Sequence, residues 1–230
     1  MTSTVIPTVA SDSASPSALR RLSGLLRIAM GLLLFASIIT QIADQLWNDA
    51  FVATEYFGYF TIQSSLMNVV VLLVGGSLAL RSRVDPQLLT AVRMSVLTYA
   101  VVTGVVYNAL LRGIVSDGFI GVGWPNEVLH VWAPIFIALD WILSPGRPAL
   151  AWTRFGYALI YPVLWVVYAL LRGTLTGFYT YPFLDPAQPG GYLAVALYVL
   201  GIALFIAGLA AAAIAASRIR PRALEPEPAV

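Results

Sequence analysis

An all-α bundle of six membrane-spanning helices, with both termini in the cytoplasm, is the fold this chain predicts, and three observations point to it. Only 10% of the 230 residues are charged and 59% are hydrophobic. A soluble domain carries roughly 25% charged residues, so most of this surface must meet something other than water. Six apolar runs reach the length of about 20 residues that a spanning helix needs; they lie near 23–43, 58–80, 88–111, 126–144, 155–172 and 191–216. The 13 basic residues, all arginine, alternate between the two sides in a way that orients the spans.

The elements follow in order. Residues 1–19, rich in Ser, Thr, Ala and Pro, read as a disordered tail, and 20–217 as the six-helix domain. Arg20 and Arg21 precede the first run as in a secretion signal. No clear small-x-small cleavage site follows and five more runs do, so a retained first helix is expected. The loop after the second run holds Arg81 and Arg83, with Arg93 close behind, and the loop after the fourth holds Arg147 and Arg154. With Arg20, Arg21 and Arg27 at the start and Arg218, Arg220 and Arg222 at the end, eleven arginines share one side. The other side carries Asp44, Asp49, Glu55, Asp117 and Asp185, with only Arg112 and Arg172 at helix ends. Excess arginine marks cytoplasmic loops. Residues 218–230 form a cytoplasmic tail in which Pro221, Pro226 and Pro228 cannot continue a helix.

Composition also excludes several chemistries. Without cysteine there is no disulfide, Cys-ligated zinc or Cys nucleophile. His130 is the one histidine, so a site built from several imidazoles is excluded, and neither a metal nor an organic cofactor is called for. No basic cluster is interleaved with aromatics, which leaves nucleic-acid binding unsupported.

Polar groups inside a span are costly and often mark function. In the second run Thr61, Ser64, Ser65 and Asn68 fall at i, i+3, i+4 and i+7, one face of a helix. Small polar residues also pack helices together in membranes, and both readings stay open for this stripe. The fourth run opens at Pro125, followed by Asn126, Glu127 and His130; Asn126 and His130 share a face. Both runs enter from the outer side, and Thr61 and His130 sit roughly 5–8 Å below their helix starts at 1.5 Å per residue. A hydroxyl needs a base to become a nucleophile, and histidine is the commonest such base. A hydrogen-bonded packing histidine is the plainer alternative.

At these residues the chain resembles a known family: the androgen-induced and androgen-dependent TFPI-regulating proteins, multi-span membrane hydrolases of fatty acid esters of hydroxy fatty acids, with their bacterial relatives. Tyr59-Phe60-Thr61 is similar to the family's Tyr-Leu-Thr, whose threonine is the nucleophile. Asn126-Glu127-Val128-Leu129-His130, with Pro134 after it, resembles Asn-His-x-x-His, whose second histidine is catalytic. Tyr181-Pro182-Phe183-Leu184 matches a Tyr-Pro-Phe-Leu in the same place. The chain departs from the animal pattern at Glu127 and Phe60, which leaves nucleophile and base intact. The resemblance covers most of the chain apart from the tails. It implies an ester hydrolase of the bacterial cytoplasmic (inner) membrane acting on a lipid ester, with Thr61 attacking the carbonyl and His130 as general base. Asn126 is then the expected oxyanion donor, with Ser64, Ser65 and Asn68 as weaker choices and Glu127 as polar support.

Two arginines gain a role from that chemistry. Val105–Gly113 reads VVYNALLRG and Val166–Gly173 reads VVYALLRG, which sets Tyr107 with Tyr168, and Arg112 with Arg172, near the outer interface. Snorkelling anchors are one reading. Holding the substrate's free carboxylate, to which a guanidinium fork is suited, is the other; pairing with Glu127 or Asp117 competes with it. Asp140 and Arg93, at similar depth near the inner side, are expected to form a structural ion pair. The outer aromatics Tyr56, Phe57, Tyr59, Phe60, Trp124, Trp132, Tyr179, Tyr181 and Phe183 suit an interfacial belt, and some suit an acyl channel. The rival class is a non-catalytic lipid-binding or transport protein, which helix breaks would favour; those at Pro134 and Pro162 are modest.

Overall fold

A computed structural model of the chain describes residues 15–113 and 121–219. Residues 1–14 of the expected tail, Asp117, Arg220, Arg222 and the three C-terminal prolines lie outside the described residues. Every regular element among the described residues is helical. Six helices are long and apolar enough to cross a membrane: Ala18–Trp47, Phe60–Ala79, Gln87–Leu111, Gly123–Leu143, Trp152–Thr176 and Gly191–Arg218, here spans one to six. The chain is a multi-pass membrane bundle.

The spans start and stop where backbone chemistry requires. Ser17 caps span one, its Oγ accepting the Arg20 N–H at 3.3 Å, so residues 15–19 belong to the bundle and not to the tail in which they were expected. Gly177, at φ 75°, ends span five, and Gly190, at φ 96°, leads into span six; glycine adopts this left-handed backbone without steric cost. Spans one and two cross at Gly24 and Gly76, where a Cβ on either residue would lie 2.8 or 2.7 Å from the other's carbonyl oxygen. Small residues at such crossings let helices approach in lipid. Span three is the hub: it packs on spans two, four, five and six, and 72% of its most apolar stretch is buried, against 17% for that of span six.

The end of the bundle where span one starts and span six stops, the inner end in the expected orientation, holds a buried ion cluster larger than the expected pair. Arg93 meets Asp140 at 2.6 Å, Arg27 meets Asp140 at 2.9 Å and Arg20 meets Asp85 at 2.6 Å. Arg93 also bonds Asp85. Arg20 and Arg27, counted among the arginines of the cytoplasmic side, are each 1% exposed. Their remaining N–H groups donate to the Ser82, Pro145 and Gly75 carbonyls and to Ser144 Oγ. Burying a charge is costly unless it is paired and fully hydrogen-bonded, and here spans one, three and four and the Asp85 loop satisfy one another. This cluster fixes the inner end of the helices whose outer ends carry the polar face.

At the outer end, residues 177–190 fold back over the bundle and bury Thr180, Tyr181 and Leu184. Beneath them Phe60, at the start of span two, packs against Tyr161, Trp165 and Tyr99 with ring centroids 5.2, 5.2 and 5.9 Å apart. The Trp165 indole N–H donates to the Gly58 carbonyl at 3.1 Å. The chain therefore enters span two along one path, and that path sets the direction of Thr61.

Candidate active site

Thr61 is the second residue of the helix Phe60–Ala79, with Tyr59 as an extended N-cap. The first N–H groups of a helix have no carbonyl within it. That of Thr61 donates to the Tyr181 hydroxyl at 3.4 Å. The Thr61 Oγ1 lies 3.4 Å from His130 Nε2 and 3.4 Å from the Tyr181 hydroxyl. All three side chains are buried. The hydroxyl and the imidazole, predicted only to share a depth, lie at the outer edge of hydrogen-bonding distance, as is common in a site without substrate.

His130 is held from three sides. Its Nδ1 lies 2.9 Å from the Asn126 carbonyl oxygen; since a carbonyl only accepts, Nδ1 carries the proton, and Nε2, facing Thr61, has the free lone pair of a base. The ring stacks on Tyr107 at 3.9 Å and 23°. Asn126 donates its side-chain amide to the Tyr107 hydroxyl. Asn126 thus orients the base through its backbone carbonyl and holds the stacking tyrosine through its side-chain amide.

The backbone here is unusual. Val128–Trp132 and the facing Tyr107–Leu111 are both single π turns, a form that clusters at functional sites. Four residues after His130 stands Pro134, which has no N–H to give the His130 carbonyl. The Asn108 amide supplies that bond at 3.1 Å. Gly104 makes the approach possible, since a Cβ there would lie 3.1 Å from both the His130 oxygen and the Pro134 ring.

The remaining polar residues divide plainly. Ser64 Oγ donates to the Thr61 carbonyl and Asn68 to the Ser64 carbonyl within span two; Asn68 also donates to the Val96 carbonyl, which ties span two to span three, and Ser65 is buried. Glu127 forms a two-pronged pair with Arg112 at 2.9 and 3.0 Å, both side chains more than 40% exposed. Arg112 Nε also donates to Asn108 Oδ1 at 2.7 Å. Arg172 lies over Phe178, 4.5 Å from its centroid, packed so close to Gly58 that a Cβ there would meet Nη1 at 2.5 Å. Among the described residues that buried Nη1 has no hydrogen-bond partner. Neither arginine lines the cavity at Thr61. Of the two echoed tyrosines, Tyr107 joins the site and Tyr168 is exposed.

Thr61, Tyr107 and Tyr181 form one end of a cavity of about 140 Å³ between spans three, five and six. Tyr107 and Tyr181 were not singled out for chemistry from the sequence, although both lay in segments noted there. Burial pushes the Tyr181 phenol up to about 12, so it stands as a neutral donor at the mouth of the cavity. The arrangement can deliver a deprotonated threonine oxygen to a carbonyl carbon, with a phenol and a helix N-terminal N–H beside it. No protein-family model, curated protein or solved structure matches the chain.

Proposed function

We propose that the chain is an intramembrane lipid-ester hydrolase with Thr61 as nucleophile and His130 as general base. The observation that carries this reading is the bonding of the imidazole: Nδ1 is committed to the Asn126 carbonyl and Nε2 faces the Thr61 hydroxyl. A packing histidine needs no particular nitrogen on a hydroxyl, and a base does. Thr61 Oγ1 attacks the ester carbonyl as Nε2 takes its proton. Negative charge then develops on the carbonyl oxygen beside the Tyr181 hydroxyl and the Thr61 N–H, the two donors nearest the attacking atom. Collapse expels the alcohol, protonated by His130, and leaves an acyl-threonine. A water activated by the same nitrogen releases the acid.

The likeness to the androgen-induced and androgen-dependent TFPI-regulating proteins favours fatty acid esters of hydroxy fatty acids, or similar esters, as substrates. It also favours the bacterial cytoplasmic membrane as location, with the arginine-rich end inside. A free carboxylate on the alcohol half would suit Arg172, whose Nη1 lacks a partner among the described residues; Arg112 is already neutralised by Glu127. The test is hydrolysis of a fluorogenic acyl ester and a hydroxy-fatty-acid ester by purified protein. Activity lost in Thr61→Ala and His130→Ala, with folding intact, supports the reading. Activity surviving Thr61→Ala rejects it, and a wild type inert on every ester favours a lipid-binding module.

A further inference from the structure

The cavity at Thr61 has a shape and lining that the hydrolytic reading does not itself require. Away from the Thr61, Tyr107 and Tyr181 end its walls are aliphatic and aromatic, apart from the Thr103 hydroxyl. In span three the lining runs from Leu111 to Val102, in span five from Val166 to Leu159 and in span six from Val199 to Ile206. Seven to nine residues at 1.5 Å each make it ~10–14 Å long. Drawn out over that length along three helices, the cavity is a tube. Its inner end is closed by Ile206, which is buried. Val163 lines it and is also 53% exposed, so the tube opens sideways toward lipid.

Apolar cavities take up apolar guests, and this one ends at the Thr61 hydroxyl. Beyond Leu111 and Phe183, which border both spaces, lies a more polar pocket at the outer surface with Asp185, Gln188 and Tyr198 in its walls. The polar half of an ester has that surface available, and its acid half has the tube. We infer that the tube is an acyl-chain site for the acid half of the substrate, specific for an unbranched chain. The carboxyl carbon lies at Thr61 and the methyl end at Ile206. The direction of the chain rests on the nucleophile assignment above; occupancy of the tube does not.

The absence of cysteine allows a direct test. Ala203→Cys places a single thiol in the lining, and Leu204→Cys places one on the neighbouring side chain, which is 64% exposed. Each full-length variant, in nanodiscs and checked for folding by its melting curve, is labelled with N-ethylmaleimide with and without decanoic acid. Decanoic acid at ten times its Kd slows labelling of Ala203→Cys about tenfold by mass action and leaves Leu204→Cys unchanged; a multiply branched acid protects neither. Equal rates with and without decanoic acid at Ala203→Cys overturn the inference, as does equal protection at both positions. Protection in a protein that hydrolyses no ester leaves the acyl site standing and removes the hydrolase reading. Hydrolysis without protection does the reverse.

Discussion

The side-chain amide of Asn108 donates to the backbone carbonyl of His130 at 3.1 Å, replacing the bond that Pro134 cannot make. In an uninterrupted helix that carbonyl would receive the N–H four residues on. The base therefore sits on a turn whose own ladder is broken and whose position is set from the neighbouring span. Asn108→Leu is expected to lower kcat by ~10–100-fold, the scale of a misplacement near 1 Å, with KM little changed. Adding Pro134→Ala returns an N–H to the carbonyl and should recover much of the loss. A double-mutant cycle measures that coupling, and additive effects would show that Asn108 acts in some other way.

Tyr181 is the side-chain donor nearest the attacking oxygen. Tyr181→Phe keeps the ring packing on Phe183 and Tyr59 and removes only the hydroxyl. Loss of one oxyanion donor costs about 10²–10³ in kcat, and that drop is expected here without a matching change in KM. With its phenol pushed up to about 12 by burial, the donor form persists throughout the range below that value. The rate should then show no alkaline decline near pH 10, where an ordinary tyrosine titrates. A steady-state pH profile checks both points.

At the inner end, Asp85 accepts from Arg20 and Arg93, and its side chain is fully buried. Asp85→Asn leaves arginines there without their counter-charge, which typically destabilises by about 3–5 kcal/mol. A large fall in melting temperature is expected, with Thr61 and His130 still competent at low temperature because they lie at the other end of the spans. Thermal unfolding followed alongside low-temperature activity separates the two effects.

The two outer arginines should behave differently. Arg172→Gln is expected to raise KM about tenfold for an ester bearing a free carboxylate, the scale of one charge-assisted hydrogen bond, and to leave its methyl ester unaffected. Arg112→Gln should alter neither KM, because Glu127 already holds that guanidinium. Paired kinetics on the free acid and the methyl ester decide it.

The six spans were legible because twenty apolar residues in a row have few other places to go. Thr61 and His130 were legible because a polar side chain in a span is conspicuous against lipid. Tyr181 was not, since it stands in a loop and only the folding of residues 177–190 over the bundle brings it to Thr61. The part played by Asn126 was hidden for a different reason: its useful atom toward His130 is a backbone carbonyl, which every residue has. The burial of Arg20 and Arg27 was not legible because hydropathy registers a guanidinium and not the aspartates, one in a loop and one in span four, that meet it. Asp85, in a short loop, gave no sign of being their shared partner, whereas Arg93 and Asp140 were legible as a pair from depth alone.

The claim that Thr61 is the nucleophile is tested most directly by mass spectrometry of protein quenched during turnover of an activated acyl ester. The account predicts an acyl adduct on the peptide containing Thr61, absent from Thr61→Ala and formed much more slowly in His130→Ala. An adduct mapped to another residue, or undiminished ester turnover by Thr61→Ala, would contradict it.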